Sequence, residues 1–215
     1  ACSRKVITTG TPYDDRAYLA QGFVDYVIRT YEERRLGERE LNAKLLTDVV
    51  GALWKRDDIE KNRVVKAPET MERVVVGVDP SATSGGDEAG IITEGKHGED
   101  YYCLADDSVQ GSPETWAQAA ITAFFRHKAD CIVAEKNNGG EMVESVIRQA
   151  VINAKAAGEK IGEVPVKLVW ASRGKATRAE PISAMSENNE EKNRKGRDHH
   201  VGVFALLEDE LCSWV

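Results

Sequence analysis

The sequence predicts an α/β fold in which three antiparallel strands precede an alternation of helices and strands. Two observations carry this prediction. Three short apolar runs, joined by connectors rich in Gly and Asp, are typical of an antiparallel meander: RVVVGVD, AGIITEG and DYYCLAD at residues 73–79, 89–95 and 100–106. Beyond residue 111, helical spacing alternates with short apolar runs, which favours parallel strands joined by helical crossovers.

Capping and periodicity define the later elements. Ser112 is a predicted N-cap with Pro113 at the first helical position. The apolar face of this helix comprises Trp116, Ala119, Ala120, Ala123 and Phe124. DCIVAE (130–135) and VPVKLVWAS (164–172) predict strands, and a helix over 140–158 should turn Met142, Val143, Val146, Ile147 and Ala150 inward. Residues 175–187 predict a helix interrupted at Pro181.

This element order is that of a ribonuclease H-like fold, a mixed five-stranded sheet flanked by helices, with the first strand central and parallel to the fourth. The order alone also permits other mixed sheets. Residues 71–215 are predicted to form this domain, incomplete at its C-terminal end, and residues 1–70 a helical connector. The connector has apolar residues at helical spacing: Phe23, Val27, Tyr31, Leu41, Leu45 and Leu46. Without an initiator Met, the chain is expected to be a piece of a longer protein.

Composition narrows the class of protein. The 215 residues, 41% of them hydrophobic, can bury one core plus a smaller appendage, and no apolar run is long enough to span a bilayer. Four scattered cysteines favour a reducing cytosol over a disulfide framework or a zinc knuckle. The net charge of −7 argues against a surface that coats nucleic acid throughout, but it permits a local basic track.

Two apolar runs end on an acid. Asp79 would close the first strand and Glu135 the fourth, and neighbouring strands lie about 4.8 Å apart, so both carboxylates should share one rim of the sheet. Such acids repel each other unless a cation neutralises them. Oxygen ligands suit Mg²⁺ or Mn²⁺, and two such ions about 3.5–4 Å apart serve phosphodiester hydrolysis. Asp87 could add a further oxygen.

Structural alternatives remain open for each acid. Asp79 precedes Pro80, a common start of a turn, and the SGGDE segment around Asp87 could be only a hairpin. Glu135 could simply pair with Lys136 or Lys175.

Ordered blocks along nearly the whole chain resemble the large terminase subunit of tailed bacteriophages and gene transfer agents. These blocks include VVVGVDPSATSGGDEAGII, DCIVAEKNNGGEMVESVIR, VKLVWASRGKATRAEPISAM and HHVGVFALLEDELCSWV. The resemblance implies a packaging ATPase domain joined to a ribonuclease H-like nuclease that cuts concatemeric double-stranded DNA. It implies Asp79 and Glu135 as catalytic acids and Asp87 as an accessory one. The third acid would lie in an Asp-x-x-Asp-Ala block beyond residue 215, and Asp209 is interpreted as a helix-surface acid.

The resemblance also implies a two-ion Mg²⁺ or Mn²⁺ cofactor and a location in the host cell cytoplasm. The implied partners are double-stranded DNA, the ATPase domain of the same polypeptide, the portal protein and the small terminase subunit, with no membrane. Without the third acid, this stretch by itself is expected to bind metal weakly or cut poorly.

Two basic groups are candidate DNA contacts. Arg173, Lys175 and Arg178 follow a strand end on the acid rim, which favours contact with the DNA backbone. A charged segment carries Lys192, Arg194, Lys195 and Arg197, which either form a solvated loop or track phosphates beside the active site. His199 and His200 could approach the metals, although a neutral, hydrogen-bonded role is favoured.

Other classes of protein fit parts of the pattern. A resolvase or transposase of the same fold is a close competitor, and a non-catalytic docking module of the packaging motor would keep only the fold. Sugar kinases and actin-like ATPases also begin with such a strand, but they need a second phosphate loop for which this chain has no room.

Overall fold

A computed structural model of the chain describes residues 49–80, 88–136, 140–158, 160–170, 172, 174–189 and 194–215. It divides into two compact units. One contains residues 57–204 and the whole sheet, and the other contains the described residues up to Arg56 together with Ala205–Val215. The helices predicted before residue 49 lie outside the described residues. None of the helices in the described ranges is long and apolar enough to cross a membrane.

The sheet has seven strands in the order β6-β5-β1-β2-β3-β7, with β4 paired to β2. The strands are β1 (Arg73–Asp79), β2 (Glu88–His97), β3 (Asp100–Asp106), β4 (Val109–Gln110), β5 (Cys131–Glu135), β6 (Val166–Val169) and β7 (Asp198–His200). β1 pairs antiparallel with β2 and parallel with β5, and β2 pairs antiparallel with β3. The five predicted strands and the central parallel pair are therefore confirmed.

Two short strands extend the predicted sheet. β4 has only two residues, and β7 is the three-residue segment DHH, which pairs parallel with β3. Neither segment shows an apolar alternation, so the sequence does not predict them. The pairing of strands this short is set by neighbouring elements and not by their own side chains.

Five helices lie among the described residues. They are α1 (Arg56–Asn62), α2 (Pro113–Arg126), α3 (Gly140–Ala156), α4 (Lys175–Ser186) and α5 (Ala205–Leu211). Pro181 lies within α4, and the helix continues through it, so the predicted interruption is wrong. A proline removes one backbone hydrogen bond from a helix. α4 contacts the sheet at both ends, where Lys175 pairs with Asp79 and the Ser186 hydroxyl donates to Asp198.

One face of the sheet carries the hydrophobic core. Alternate residues of β1 are buried there (Val74, Val76 and Val78), and α2 and α3 pack on the same side. α2 contributes the buried Trp116. On α3 the buried stripe runs through Val143, Ile147, Ala150 and Ala154. The inward orientation predicted for Met142 is wrong, since its side chain is 46% exposed. Met142 precedes the first residue of the stripe by about 100° of helical rotation, which places it at the edge of the apolar face.

The predicted N-cap of α2 is present, because the Ser112 hydroxyl accepts a hydrogen bond of 3.3 Å from the Thr115 N–H. Ser112→Ala should lower the free energy of unfolding by about 1 kcal/mol, since that N–H loses its acceptor. Urea unfolding measures the change. A matched hydroxyl deletion, Thr122→Ala in the middle of the same helix, should be neutral or slightly stabilising, because Ala has the higher helix propensity. Equal losses in both variants would contradict the capping role.

Candidate functional site

The strand register brings the two predicted acids together. In the parallel β1–β5 pair, Val78 lies opposite Ala134, so the next residues, Asp79 and Glu135, end their strands at the same level. Neighbouring strands are about 4.8 Å apart. Side chains alternate along a strand, so both acids project from the face opposite the one that buries Val78. The carboxylates therefore share one rim and one face of the sheet.

Helix α4 lies over this rim and presents a cation to each acid. The Lys175 ammonium nitrogen is 3.4 Å from Asp79 Oδ2, and Arg178 Nη2 donates to Glu135 Oε2 at 3.0 Å. The Asp79 side chain is 62% exposed, whereas that of Glu135 is only 20% exposed. The rim thus concentrates two carboxylates that the protein balances with positive charge, and Asp79 remains open to a ligand from solvent.

The predicted DNA-binding residues divide into two places. Lys175 and Arg178 lie at the acid rim. Arg173 and Lys192 lie outside the described residues, as does Asp87, the predicted accessory acid.

Arg194, Lys195 and Arg197 lie at the other end of the sheet. Arg197 precedes β7, which begins beside the start of β3, and the starts of β3 and β1 are at the same level. Arg194 pairs with Glu187 at 3.6 Å and Arg197 with Glu99 at 3.1 Å. The structure therefore does not bring Arg194 and Arg197 to the acid pair, because α4 crosses the sheet and carries the chain away from the rim. DNA contact at this second location stays a prediction.

The two histidines belong to β7, at the far edge of the sheet. His199 Nδ1 lies 2.8 Å from the Asn62 carbonyl oxygen, and its ring stacks on Tyr102 with centroids 5.0 Å apart. His200 is 4% exposed and packs against Phe204. These contacts agree with the hydrogen-bonded, structural role that the sequence favours for them.

Asp209 lies in the other unit, on α5, where it is buried. It is 3% exposed and accepts a 2.5 Å hydrogen bond from Arg56 Nη2. The interpretation of Asp209 as a surface acid is therefore wrong. The ion pair with Arg56 offsets the cost of burying the carboxylate.

The structure shows an acid that the sequence does not single out. Glu94 lies in the middle of β2, opposite Val75, on the same sheet face as Asp79 and Glu135. Burial, and secondarily the negative charge of Asp198, raises the pKa of Glu94 to about 8. A Glu in an alternating strand normally faces water. Here the charge that acts on Glu94 is that of Asp198, which itself accepts a 2.7 Å hydrogen bond from the Ser186 hydroxyl at the end of α4.

Across the residues that the structure describes, no group of three or more His, Cys, Asp or Glu side chains is arranged to hold a metal. Among the described acids, Asp79 and Glu135 are the pair that ends neighbouring parallel strands at one level.

The strand order, the central parallel pair and the acids at its ends define the ribonuclease H-like class of α/β domains. Residues 76–201 match the family model of the terminase RNaseH-like domain, and the chain belongs to this family. The predicted family and fold class are thus confirmed. A comparison with curated protein sequences finds no significant match.

Solved structures of terminases are similar to this chain at low identity. The large terminase of a thermophilic bacteriophage, in complex with ATP-gamma-S, is 12% identical with a TM-score of 0.44; the match covers 87% of this chain and 43% of that one, so this chain spans less than half of that protein. The nuclease domain of human cytomegalovirus terminase, manganese-soaked and inhibitor-bound, is 15% identical with a TM-score of 0.48. The match covers 69% of this chain and 74% of that one. A mutant nuclease domain of the bacterial virus Sf6 large terminase, with manganese and beta-thujaplicinol, is 18% identical with a TM-score of 0.42. The match covers 74% of this chain and 71% of that one.

Proposed function

We propose that the protein is the nuclease part of a terminase large subunit, a divalent-metal-dependent endonuclease that cuts concatemeric double-stranded viral DNA during genome packaging. The observation that carries the proposal is the position of Asp79 and Glu135, which end the parallel β1–β5 pair at the same level and on the same face of the sheet. Open α/β sheets bind their ligands at this end of their strands. Membership of the terminase family makes DNA the expected substrate.

The residues at the rim fit a divalent cation. Both acids offer only oxygen ligands, which Mg²⁺ and Mn²⁺ prefer. Each acid already faces a positive group, Lys175 or Arg178, as expected of a site whose negative charge must be balanced. The exposure of Asp79 leaves room for a phosphodiester to approach.

Different residues of the chain would bind the metal and the DNA. Asp79 and Glu135 would hold the metal, Asp87 would add an accessory ligand, and a third acid would come from beyond residue 215. When bound, the divalent ions would supply activation of water and stabilisation of the leaving 3′-oxygen. Lys175 and Arg178, released from the acids, would hold DNA phosphates at the rim. These contacts carry no sequence information, so cleavage should show little sequence preference.

The remaining parts of the packaging machine are proposed partners. They are the ATPase domain of the same polypeptide, the portal protein and the small terminase subunit, all acting in the host cytoplasm. The proposed organisation is a helical connector over residues 1–70, followed by the nuclease domain from residue 71.

Metal dependence tests the proposal. The full-length protein should nick and linearise supercoiled plasmid with Mn²⁺ or Mg²⁺, and excess EDTA should abolish the reaction, since the acids alone cannot activate water. Gel electrophoresis of the plasmid measures the conversion. A non-catalytic docking module would leave the plasmid intact with every divalent ion while remaining folded by circular dichroism. Equal cleavage with and without EDTA would contradict a metal-dependent mechanism.

A further inference from the structure

The acid rim continues on its outer side into an exposed strip formed by Lys167, Val169 and Trp170. The Trp170 side chain is 71% exposed and Val169 is 45% exposed. Lys167 is exposed on the same strand, β6. An isolated surface apolar residue needs no explanation. Here the exposed Val169 lies directly opposite Glu135, and the exposed Trp170 follows it at the same end of the sheet.

The register fixes the position of this strip relative to the acids. Val169 lies directly opposite Glu135 in the parallel β5–β6 pair, and Lys167 lies opposite Val133. Lys167, Val169 and Glu135 therefore project from the same face. Trp170 follows at the strand end, and five residues later Lys175 contacts Asp79. The strip thus borders Glu135 on the sheet, and the chain beyond it leads to Lys175, the cation that faces Asp79.

Resting on the proposed function, we propose that Lys167, Val169 and Trp170 form a DNA-contact strip that seats the duplex beside the acid pair. Lys167 binds a backbone phosphate, and Trp170 packs against the sugars and the minor-groove surface next to the scissile bond. Continuity with the acids and the positive charge of Lys167 select DNA as the occupant. Apolar side chains contact the minor groove in many DNA-binding proteins.

The binding experiment uses the 215-residue chain in EDTA, where no metal-dependent cleavage occurs. Trp170→Ala should weaken binding of a fluorescent duplex about tenfold, as for the loss of one aromatic contact. Trp170→Phe should retain most of the affinity. Ile152→Ala, at another exposed apolar residue, on α3, should bind like the parent. Fluorescence anisotropy titrations give all four dissociation constants.

Salt dependence separates the two kinds of contact. Lys167→Gln should reduce the slope of log affinity against log salt by about 0.9, because one phosphate contact is lost. Trp170→Ala should lower affinity without changing this slope, because its contact releases no counterion.

Intrinsic fluorescence gives a second readout within the folded parent. The chain has four tryptophans: Trp116 is 1% exposed, Trp54 is 7% exposed and Trp214 is half-buried beside Trp54, so the largest share of any quenching by unlabelled duplex should come from Trp170. Trp170→Phe should lose that quenching. Parent-like binding by Trp170→Ala, or undiminished quenching in Trp170→Phe, overturns the proposal. Neither result would affect the cleavage proposal, which depends on metal-supported nicking by the full-length protein.

Discussion

Replacing Asp79 by Asn, or Glu135 by Gln, is expected to reduce metal-supported plasmid cleavage by about a thousandfold in the full-length protein. Each change keeps the shape of the side chain and removes the negative charge that would hold the cation. Losing a preorganised electrostatic contact in an active site typically costs about 10²–10³ in rate, and a lost metal ligand also weakens cofactor binding. The rate of nicking at saturating Mn²⁺ measures the loss.

Two further variants show whether the acids act as one site. The double variant should cut no more slowly than either single variant, because residues that act as a unit give non-additive losses. Asp106→Asn should cut like the parent: Asp106 ends β3 at the same rim, β2 separates it from Asp79, and it accepts a hydrogen bond from the Ser108 N–H. Parent-like cleavage by both single variants would exclude the acid pair from catalysis.

The acid pair can be predicted because its signal is local. RVVVGVD and CIVAE are apolar runs that each end on an acid, and strand ends in an α/β sheet meet at a common edge. The sequence does not predict which cations face the acids. It offers Lys136 or Lys175 as the partner of Glu135, and the structure pairs Glu135 with Arg178. That choice depends on the angle at which α4 crosses the sheet, which no local pattern encodes.

The errors share this long-range origin. The sequence leaves two readings open for Arg194 and Arg197, a solvated loop or phosphate contacts beside the acids, and the length of α4 determines where they lie. Glu94 looks like an ordinary polar residue of an alternating strand, and the surroundings that raise its pKa include Asp198 of β7, a residue distant in the sequence. Spacing along a strand predicts which face a side chain occupies. It does not predict what covers that face.

The burial of Glu94 has a direct consequence for stability, and its sign is opposite to that of most carboxylates. Burial first, and then the charge of Asp198, raises its pKa in the folded protein from 4.5 to about 8. Below pH 4.5 both the folded and the unfolded states carry the proton. Between pH 4.5 and 8 the folded state keeps a proton that the unfolded state releases, so the free energy of unfolding falls as the pH rises. Above pH 8 the penalty no longer grows.

Glu94→Gln removes this titration while preserving the shape of the side chain. The variant should gain stability relative to the parent as the pH rises from about 5 to about 8, reaching a difference on the order of 1–3 kcal/mol at the upper end. Urea unfolding at about pH 5, 6.5 and 8 measures how the difference between variant and parent changes. A constant difference across this range would show that Glu94 does not retain its proton in the folded state.

Glu72 provides a matched control of opposite sign. Its carboxylate accepts a 2.9 Å hydrogen bond from the Gly98 N–H and pairs with Lys96 at 3.4 Å. These contacts, with the backbone hydrogen bond first, lower the pKa of Glu72. A lowered pKa stabilises the folded state above the unfolded pKa, and this stability is lost as the pH falls through the folded pKa. Glu72→Gln should therefore be less stable than the parent at about pH 8, and this difference should shrink towards about pH 3. Glu94→Gln should instead gain stability over the parent between about pH 5 and 8. Opposite trends in two conservative Glu→Gln changes separate the effect of burial at Glu94 from any general effect of removing a negative charge from a protein of net charge −7.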